Sequence, residues 1–592
     1  MMAENGWDAV VIGASDPHSS EYPSPRWQAV EWISGFTGEA GDIVITADHA
    51  GLWTDSRYFI QAVSQLQGTG VELHKTRQPD SVSIPQWLAE RVSSVALDGS
   101  CMSVAEVGKI RSALSETHDE GQWKVVDVPD LLDPIWTGRP KIPVTPVITL
   151  DESERGESRL QKLVWLRKFL MSKDCDAILV SSLDEIAWLL NVRGSDIEYN
   201  PYVISYLYVS LDRAVWFVRK DTGPVSDQDT EDSFMELKAD GVEIAGYDDV
   251  FVSVADPELS DGRLYIDCAS LNYHLYRYLT DVFGRENIMT GPSPVLLRKA
   301  VKNGAEIRSL REAYLEDGCA MERFLFWLDS EMAAGNEVTE WSAALRLDGF
   351  RAMIDGYRGN SFKTISAYGP NAALPHYSTP ETGSAVLHPS GLYLVDSGGQ
   401  YLFGTTDITR TVALGGCTEL EKEDYTLVLK GMIQLAKAVF PEGTAGCQLD
   451  VLARNALWQS KRNFGHGTGH GVGFYLGVHE GPQSIRQDFN SQPLLPGMVT
   501  SDEPGIYREG RHGVRHENIL LCVDAGQNGF GKWLSFETLT VCHIDTSPIV
   551  RSLLSDDEAE WLNAYNESVF RRLSPLLPEE VALWLESRTR PV

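Results

Sequence analysis

Gly465-His466-Gly467-Thr468-Gly469-His470-Gly471 decides how this chain is read. Alternate glycines oppose a helix and suit a tight extended segment whose main chain can approach a ligand closely. The two imidazoles it carries are therefore placed to touch something. Carboxylates stand on either side of the run in sequence, Asp396 and Asp407 before it, Glu503 and Glu517 after it. One histidine with four carboxylates is a hard, mostly oxygen donor set with charge enough for two divalent cations. A two-metal hydrolase is the expectation.

Each carboxylate has a bland reading when taken alone. Asp396 ends the apolar strand pattern Leu392-Tyr393-Leu394-Val395, and Asp407 precedes Ile408-Thr409-Arg410-Thr411-Val412. A buried Asp is costly unless paired or metal-bound, and either one could be a turn residue or an ion-pair partner. Two on neighbouring predicted strands, beside glycine-flanked histidines, favour metal. Glu503 lies where a strand ends before Pro504-Gly505, and Glu517 within a predicted strand Gly513–Leu521. Singly these glutamates read as solvated surface groups, so their case rests on the constellation.

Outward from this centre, two earlier stretches look related. Asp8-Ala9-Val10-Val11-Ile12 and Asp176-Ala177-Ile178-Leu179-Val180 read as buried strands. Each is followed by a Trp-x5-Gly element (Trp32 to Gly38, Trp188 to Gly194) and then by further strands, Ile43–Thr46 and Tyr206–Ser210. Three matches in the same order predict a duplicated α/β domain. A proline-rich stretch, Ile135–Thr149, reads as a stiff exposed connector, with helix resuming near Arg159–Met171. Asn303 with Glu306 forms a candidate capping box ahead of a long helix to about Met332; Thr418 with Glu421 and Ser555 with Glu558 repeat the signal. The predicted domains are 1–147, 148–302 and 303–592, the last α+β.

Composition bounds the function. A net charge of -33 over 592 residues disfavours nucleic acid or an anionic membrane as partner. No apolar run is long enough for a bilayer span. Acidic residues near Met1 oppose a signal peptide, so a cytoplasmic location is expected. The eight cysteines are scattered singly, which fits buried side chains in a reducing compartment. Seven of the thirteen histidines fall between His376 and His516, which places the chemistry in the C-terminal half.

Val395-Asp396-Ser397-Gly398, Thr405-Thr406-Asp407-Ile408-Thr409-Arg410, the Gly-His-Gly-x-Gly-His run, Val478-His479-Glu480-Gly481-Pro482, Asp502-Glu503-Pro504-Gly505 and Arg515-His516-Glu517-Asn518 together resemble the pita-bread metallopeptidases. More narrowly the chain resembles the three-domain Xaa-Pro aminopeptidase (aminopeptidase P) type. Trp53–Phe59 and Ser182–Asn191 extend the likeness into both earlier domains. The resemblance implies two creatinase-like α/β domains followed by a pita-bread catalytic domain, and release of the N-terminal residue from peptides with proline second by attack of a metal-bridging hydroxide. It implies Asp396, Asp407, His470, Glu503 and Glu517 as ligands of two divalent ions, usually Mn2+, with Asp407 and Glu517 bridging. His376 and His479 take substrate-side roles, His479 at the carbonyl oxygen and His376 as a loop contact and proton shuttle. His466 and Tyr507 line the proline pocket, with Arg515 beside them, and Glu503 carries a proton to the leaving nitrogen. A homodimer is implied too.

Two departures stand out. No helix is expected ahead of the first strand, and His516 replaces an aliphatic residue, which reads as a packing change because neighbouring strand residues face opposite sides. Arg57 reads as fold-stabilising. The rival readings are prolidase, which shares the centre but commonly has one N-terminal domain, a creatinase-like enzyme, and a non-catalytic peptide- or histone-binding relative, in which ligands are usually lost.

Overall fold

The computed structural model describes residues 1–150, 156–219, 228–256, 259 and 262–592. The chain divides into two units, Met1–Glu152 with Glu157–Leu296, and Ser153–Gly156 with Leu297–Val592.

The first unit holds two six-stranded sheets of one topology. In the first, the strands run in the order Glu72–Lys75, Ala50–Thr54, Asp42–Thr46, Ala9–Ile12, Ser94–Leu97, Lys124–Asp127. The second runs Glu243–Gly246, Ala214–Val218, Ser205–Ser210, Ala177–Val180, Leu264–Ile266, Ile288–Thr290. Directions match as well: in each sheet the opening strand lies antiparallel to the second and parallel to the fifth. The duplication predicted from three short matches is thus present strand by strand. Ala9–Ile12 is buried along its whole length. Val10 packs with Ile43 and Leu52 on one face, while Val11 packs with Val44 and Leu97 on the other. A strand covered on both faces reads as an unbroken apolar run, which is why it was legible.

The paired tryptophans differ in environment. Trp188 is buried, with Lys162 Nζ 4.0 Å over its ring, whereas Trp32 is 39% exposed and stacks on Trp136. Met2–Asn5 forms one helical turn where none was expected. The connector is largely irregular, but Trp136 within it is buried, and Ile148–Thr149 pairs with Val192–Arg193. Within this unit His18, fully buried, joins the two halves through Ser181 O and Tyr247 Oη, each at 2.9 Å.

The second unit opens with the helix Gly304–Ala334, capped by Asn303 and Glu306 in both directions. The boxes at Thr418 and Ser555 form likewise. Four strand groups follow, among them a small antiparallel sheet of Tyr357–Asn360, Gly399–Tyr401 and Gly404–Thr405. Ile365–Tyr368, Leu392–Ser397 and Ile408–Ala413 make one antiparallel sheet. A six-stranded sheet runs Val439–Pro441, Gly531–Thr538, Asn518–Asn528, Val499–Asp502, Gly469–Gly471, Glu480–Ile485. Gly505–Arg508 and His512–Arg515 form a separate hairpin.

One local expectation is corrected. Gly513–Leu521 is not a single strand: His512–Arg515 pairs in the hairpin, Asn518–Asn528 pairs with Val499–Asp502, and His516 and Glu517 occupy the break. The change of partner frees Glu517 from a ladder position, and its N–H donates instead to Thr409 O at 3.1 Å.

Candidate metal centre

The five residues singled out by sequence come from separate elements and meet in the second unit. Asp396 sits near the end of Leu392–Ser397, directly across from Thr409. Asp407 immediately precedes the next strand, and Glu503 immediately follows Val499–Asp502. His470 lies mid-way in Gly469–Gly471, with its N–H on Ser501 Oγ at 2.9 Å. The glycines there are needed for close approach: a Cβ at Gly469 would stand 2.0 Å from Ser501 O, and one at Gly471 2.5 Å from Glu480 O.

Ligand-type atoms fall into overlapping clusters, each within 4.8 Å: Asp396, Asp407 and Glu517; His470, Glu503 and Glu517; Asp407, His470 and His479. Asp407 and Glu517 are the two carboxylates common to more than one cluster. His470 Nδ1 donates to Gly471 O at 2.9 Å, which leaves the Nε2 lone pair aimed at Asp407 and Glu503, 3.5 Å from each. A lone pair facing two carboxylate oxygens is repulsive unless a cation lies between them. Among the described residues Asp396 Oδ1 is buried without a hydrogen-bond partner. Burial, then the charge of Asp396, pushes Asp407 well above the usual carboxylate range; burial, then Glu517, does the same to Glu503; burial, then Asp407, to Glu517. Such a set fits hard dications: four carboxylates balance two of them, and only one donor from the expected ligand set is nitrogen.

A supporting layer surrounds the cluster. Arg515, buried, donates from Nη2 to Asp396 at 2.5 Å and from Nη1 to Tyr507 Oη at 2.6 Å. Thr409 Oγ1 accepts from Arg515 Nε at 3.1 Å and donates to Glu517 at 3.0 Å. Tyr507 Oη then lies 2.8 Å from His466 Nε2, whose Nδ1 is 2.7 Å from Gly467 O. This order of donors assigns Tyr507 O–H to His466 Nε2 and the imidazole proton to Nδ1. Burial, with Arg515 adding to it, pushes His466 well below the ordinary histidine range, so the ring is neutral. His376 is half-buried, and its charge also bears on His466. His479 stands edge-on to His470, ring centroids 4.3 Å apart.

Residues that sequence reasoning missed hold these loops. Arg454 donates to Phe464 O and His466 O, each at 2.7 Å, and to Asp450 at 2.7 Å, while Thr468 Oγ1 donates to Asp450 at 2.6 Å. The Asp450/Arg454 i,i+4 spacing on Gly446–Gln459 was the available signal. Asp502 is buried with neither carboxyl oxygen hydrogen-bonded among the described residues, and burial followed by the charge of Glu517 pushes its pKa well up. His516 turns its ring edge-on to Tyr425 at 4.4 Å, and burial, then Arg410, pushes it down to about 3.

A buried cluster of acids and imidazole on converging strands defines a class, the metal-dependent hydrolases, and comparison with known proteins narrows it. Residues 308–524 match the family model described as Metallopeptidase family M24, and 532–592 the C-terminal region of peptidase_M24. Residues 1–135 and 138–306 each match a Creatinase/Prolidase N-terminal domain. The chain belongs to metallopeptidase family M24. It is 37% identical to Aminopeptidase P2 of Arabidopsis thaliana, over 99% of this chain and 86% of that protein. The crystal structure of an X-prolyl aminopeptidase from Caenorhabditis elegans, described as a cytosolic enzyme with a di-nuclear active site, matches with TM-score 0.93 and 35% identity over 99% of this chain and 95% of that one. An Xaa-Pro dipeptidase from Bacillus anthracis matches with TM-score 0.52 and 25% identity, over 66% of this chain and 99% of its own.

Proposed function

We propose that this chain is an Xaa-Pro aminopeptidase, a metallohydrolase that releases the N-terminal residue from peptides with proline in second position. The carrying observation is the extent of the relation: likeness to the X-prolyl aminopeptidase runs the length of the chain through both N-terminal sheets, whereas likeness to the dipeptidase leaves a third of it unmatched. That difference favours the aminopeptidase over the prolidase reading, and the intact acid cluster disfavours a non-catalytic relative.

Asp396, Asp407, His470, Glu503 and Glu517 would hold two divalent cations, Mn2+ by the family resemblance, with which the oxygen-rich donor set agrees, and Asp407 and Glu517 would be the carboxylates common to both. When bound, such a pair polarises a carbonyl and makes water a nucleophile at neutral pH. Hydrolysis adds OH to the Xaa carbonyl carbon, breaks the C–N bond and places a proton on the proline nitrogen. Glu503 takes the proton from water and passes it on. His479 donates to the carbonyl oxygen as it gains charge, and His376 contacts the substrate from its loop. His466 and Tyr507 wall the proline ring, and Arg515 fixes Tyr507 and Asp396 together. An Xaa-Pro amide offers no N–H, so a site that acts on the carbonyl alone suits it. Domains 1–147, 148–302 and 303–592, a homodimer and a cytoplasmic location complete the proposal; among the described residues no helix is long and apolar enough to cross a membrane.

The test is product identification by mass spectrometry on Arg-Pro-Pro and Arg-Ala-Pro. Free arginine from the first is expected, with kcat/KM about 10–200-fold lower on the second for the unfilled ring space alone. Equal rates, or a dipeptide as first product, would exclude this function.

A further inference from the structure

A second group of metal-type donors lies in the first unit. His49 closes the turn between Asp42–Thr46 and Ala50–Thr54; Glu72 and His74 sit two apart on the edge strand Glu72–Lys75, and so on one face. Parallel pairing sets Gly51 beside Glu72 and Trp53 beside His74. His49 Nε2 is 3.2 Å from His74 Nε2, and Glu72 Oε2 is 3.7 Å from His49 Nδ1. The three residues each offer a ligand atom within 4.8 Å of the others.

Several features hold this geometry in advance. Thr46 N–H donates to His49 O at 2.8 Å, and Thr46 Oγ1 accepts from His49 N–H at 3.1 Å, which fixes the turn. His74 stacks on Trp53 with centroids 3.8 Å apart and planes 5° apart, while His49 lies over Trp87 at 4.9 Å. Gly51 leaves the floor open: a Cβ there would stand 2.7 Å from His49 Nε2 and 2.8 Å from His74 Cδ2. Two nitrogens bound at about 2.0–2.1 Å to a tetrahedral ion stand roughly 3.3 Å apart, which is the spacing already present between the rings. The edge is open to solvent, with the Glu72 side chain 69% exposed.

We propose that His49, His74 and Glu72 form a zinc-type site, taking a borderline-soft divalent ion through two imidazoles and one carboxylate, with water completing the tetrahedron. The donor set, two imidazoles and one carboxylate, differs from the oxygen-rich centre of the second unit. A bound ion ties the β-turn at His49 to the edge strand, so its effect is on the stability of the first sheet and not on hydrolysis.

The test compares full-length protein with His74→Phe, which keeps a ring on Trp53 and removes the nitrogen, and with Glu72→Gln, which keeps the strand surface. Each is equilibrated with buffered zinc, and metal is counted by mass spectrometry. The parent should retain one zinc ion more per chain than His74→Phe, and Glu72→Gln should weaken that ion by at least about tenfold. Zinc should raise the melting temperature of the parent above that of His74→Phe, with peptide hydrolysis under saturating manganese alike in both. Crystals soaked in zinc should give an anomalous peak between the two Nε2 atoms. Equal zinc content in parent and variants, with no peak there, would leave only a hydrogen bond between two rings and overturn the proposal.

Discussion

His470 and His479 stand ring against ring, yet the proposed function gives them different tasks. His470 has one nitrogen committed to Gly471 O and the other aimed at Asp407 and Glu503, the arrangement of a ligand. His479 has been assigned to the substrate carbonyl. His479→Ala should therefore keep its metal and lose turnover about a hundredfold to a thousandfold, the scale of one oxyanion donor, whereas His470→Ala should lose metal affinity as well. Metal stoichiometry on the two variants decides it, and equal loss in both would reverse the assignment. His516 shows the same discipline by contrast: one position from Glu517, it faces Tyr425 and stays neutral.

The hairpin Gly505–Arg508 and His512–Arg515 brings Tyr507 and Arg515 to the site, and its anchor is one acid on the neighbouring helix Glu419–Ala436. Asp424 is buried and accepts from Arg508, from Arg462 at 2.7 Å and from His512 at 2.9 Å. Burial alone would raise its pKa, but His512 and Arg508 hold it at about 2. A depressed carboxyl contributes stability above its unfolded pKa and loses it as pH falls toward the folded one. At neutral pH Asp424→Asn is expected to cost at least about 2 kcal/mol, with the gap to the parent closing as pH approaches 2, and to lower kcat/KM on Xaa-Pro peptides. Denaturant melts across that pH range check this; a constant gap would mean the ion pairs are not its source. Such anchors were not legible in the sequence. Asp424, Arg508 and His512 are joined only by folding, and nothing local marks them. Helix starts at Asn303, Thr418 and Ser555 were legible because both capping partners lie within one turn. Asp396 and His470 stood out locally, an acid closing an apolar strand and a histidine among glycines, whereas Glu503 and Glu517 looked like surface groups and joined the set only through the constellation and the family resemblance. The strand break at His516–Glu517 was hidden, since it depends on which distant strand each half pairs with.

At the scale of the molecule, the buried acids make the second unit depend on its cations. Chelation should abolish hydrolysis and lower the melting temperature of that unit, since ions at a hundredfold of Kd contribute about 2.7 kcal/mol; added manganese should restore both. Calorimetry with an activity assay reads this, and full activity in a demonstrably metal-free sample would remove the two-cation reading. The two N-terminal sheets were found from three short sequence matches because both repeats bury the same opening strand. Their different tryptophan environments escaped, since spacing says nothing of what covers a ring.

The order in which the acids occur along the chain has a consequence for biosynthesis. Translation delivers Asp396 and Asp407 early in the second unit, but Glu517 belongs to a break whose following strand pairs with Gly531–Thr538. Until that hairpin has left the ribosome, the first acids have neither their last partner nor the strand that positions it. Cation capture by the full set is accordingly expected only once that hairpin has emerged, when the first unit has long since had every residue of its two sheets available for folding.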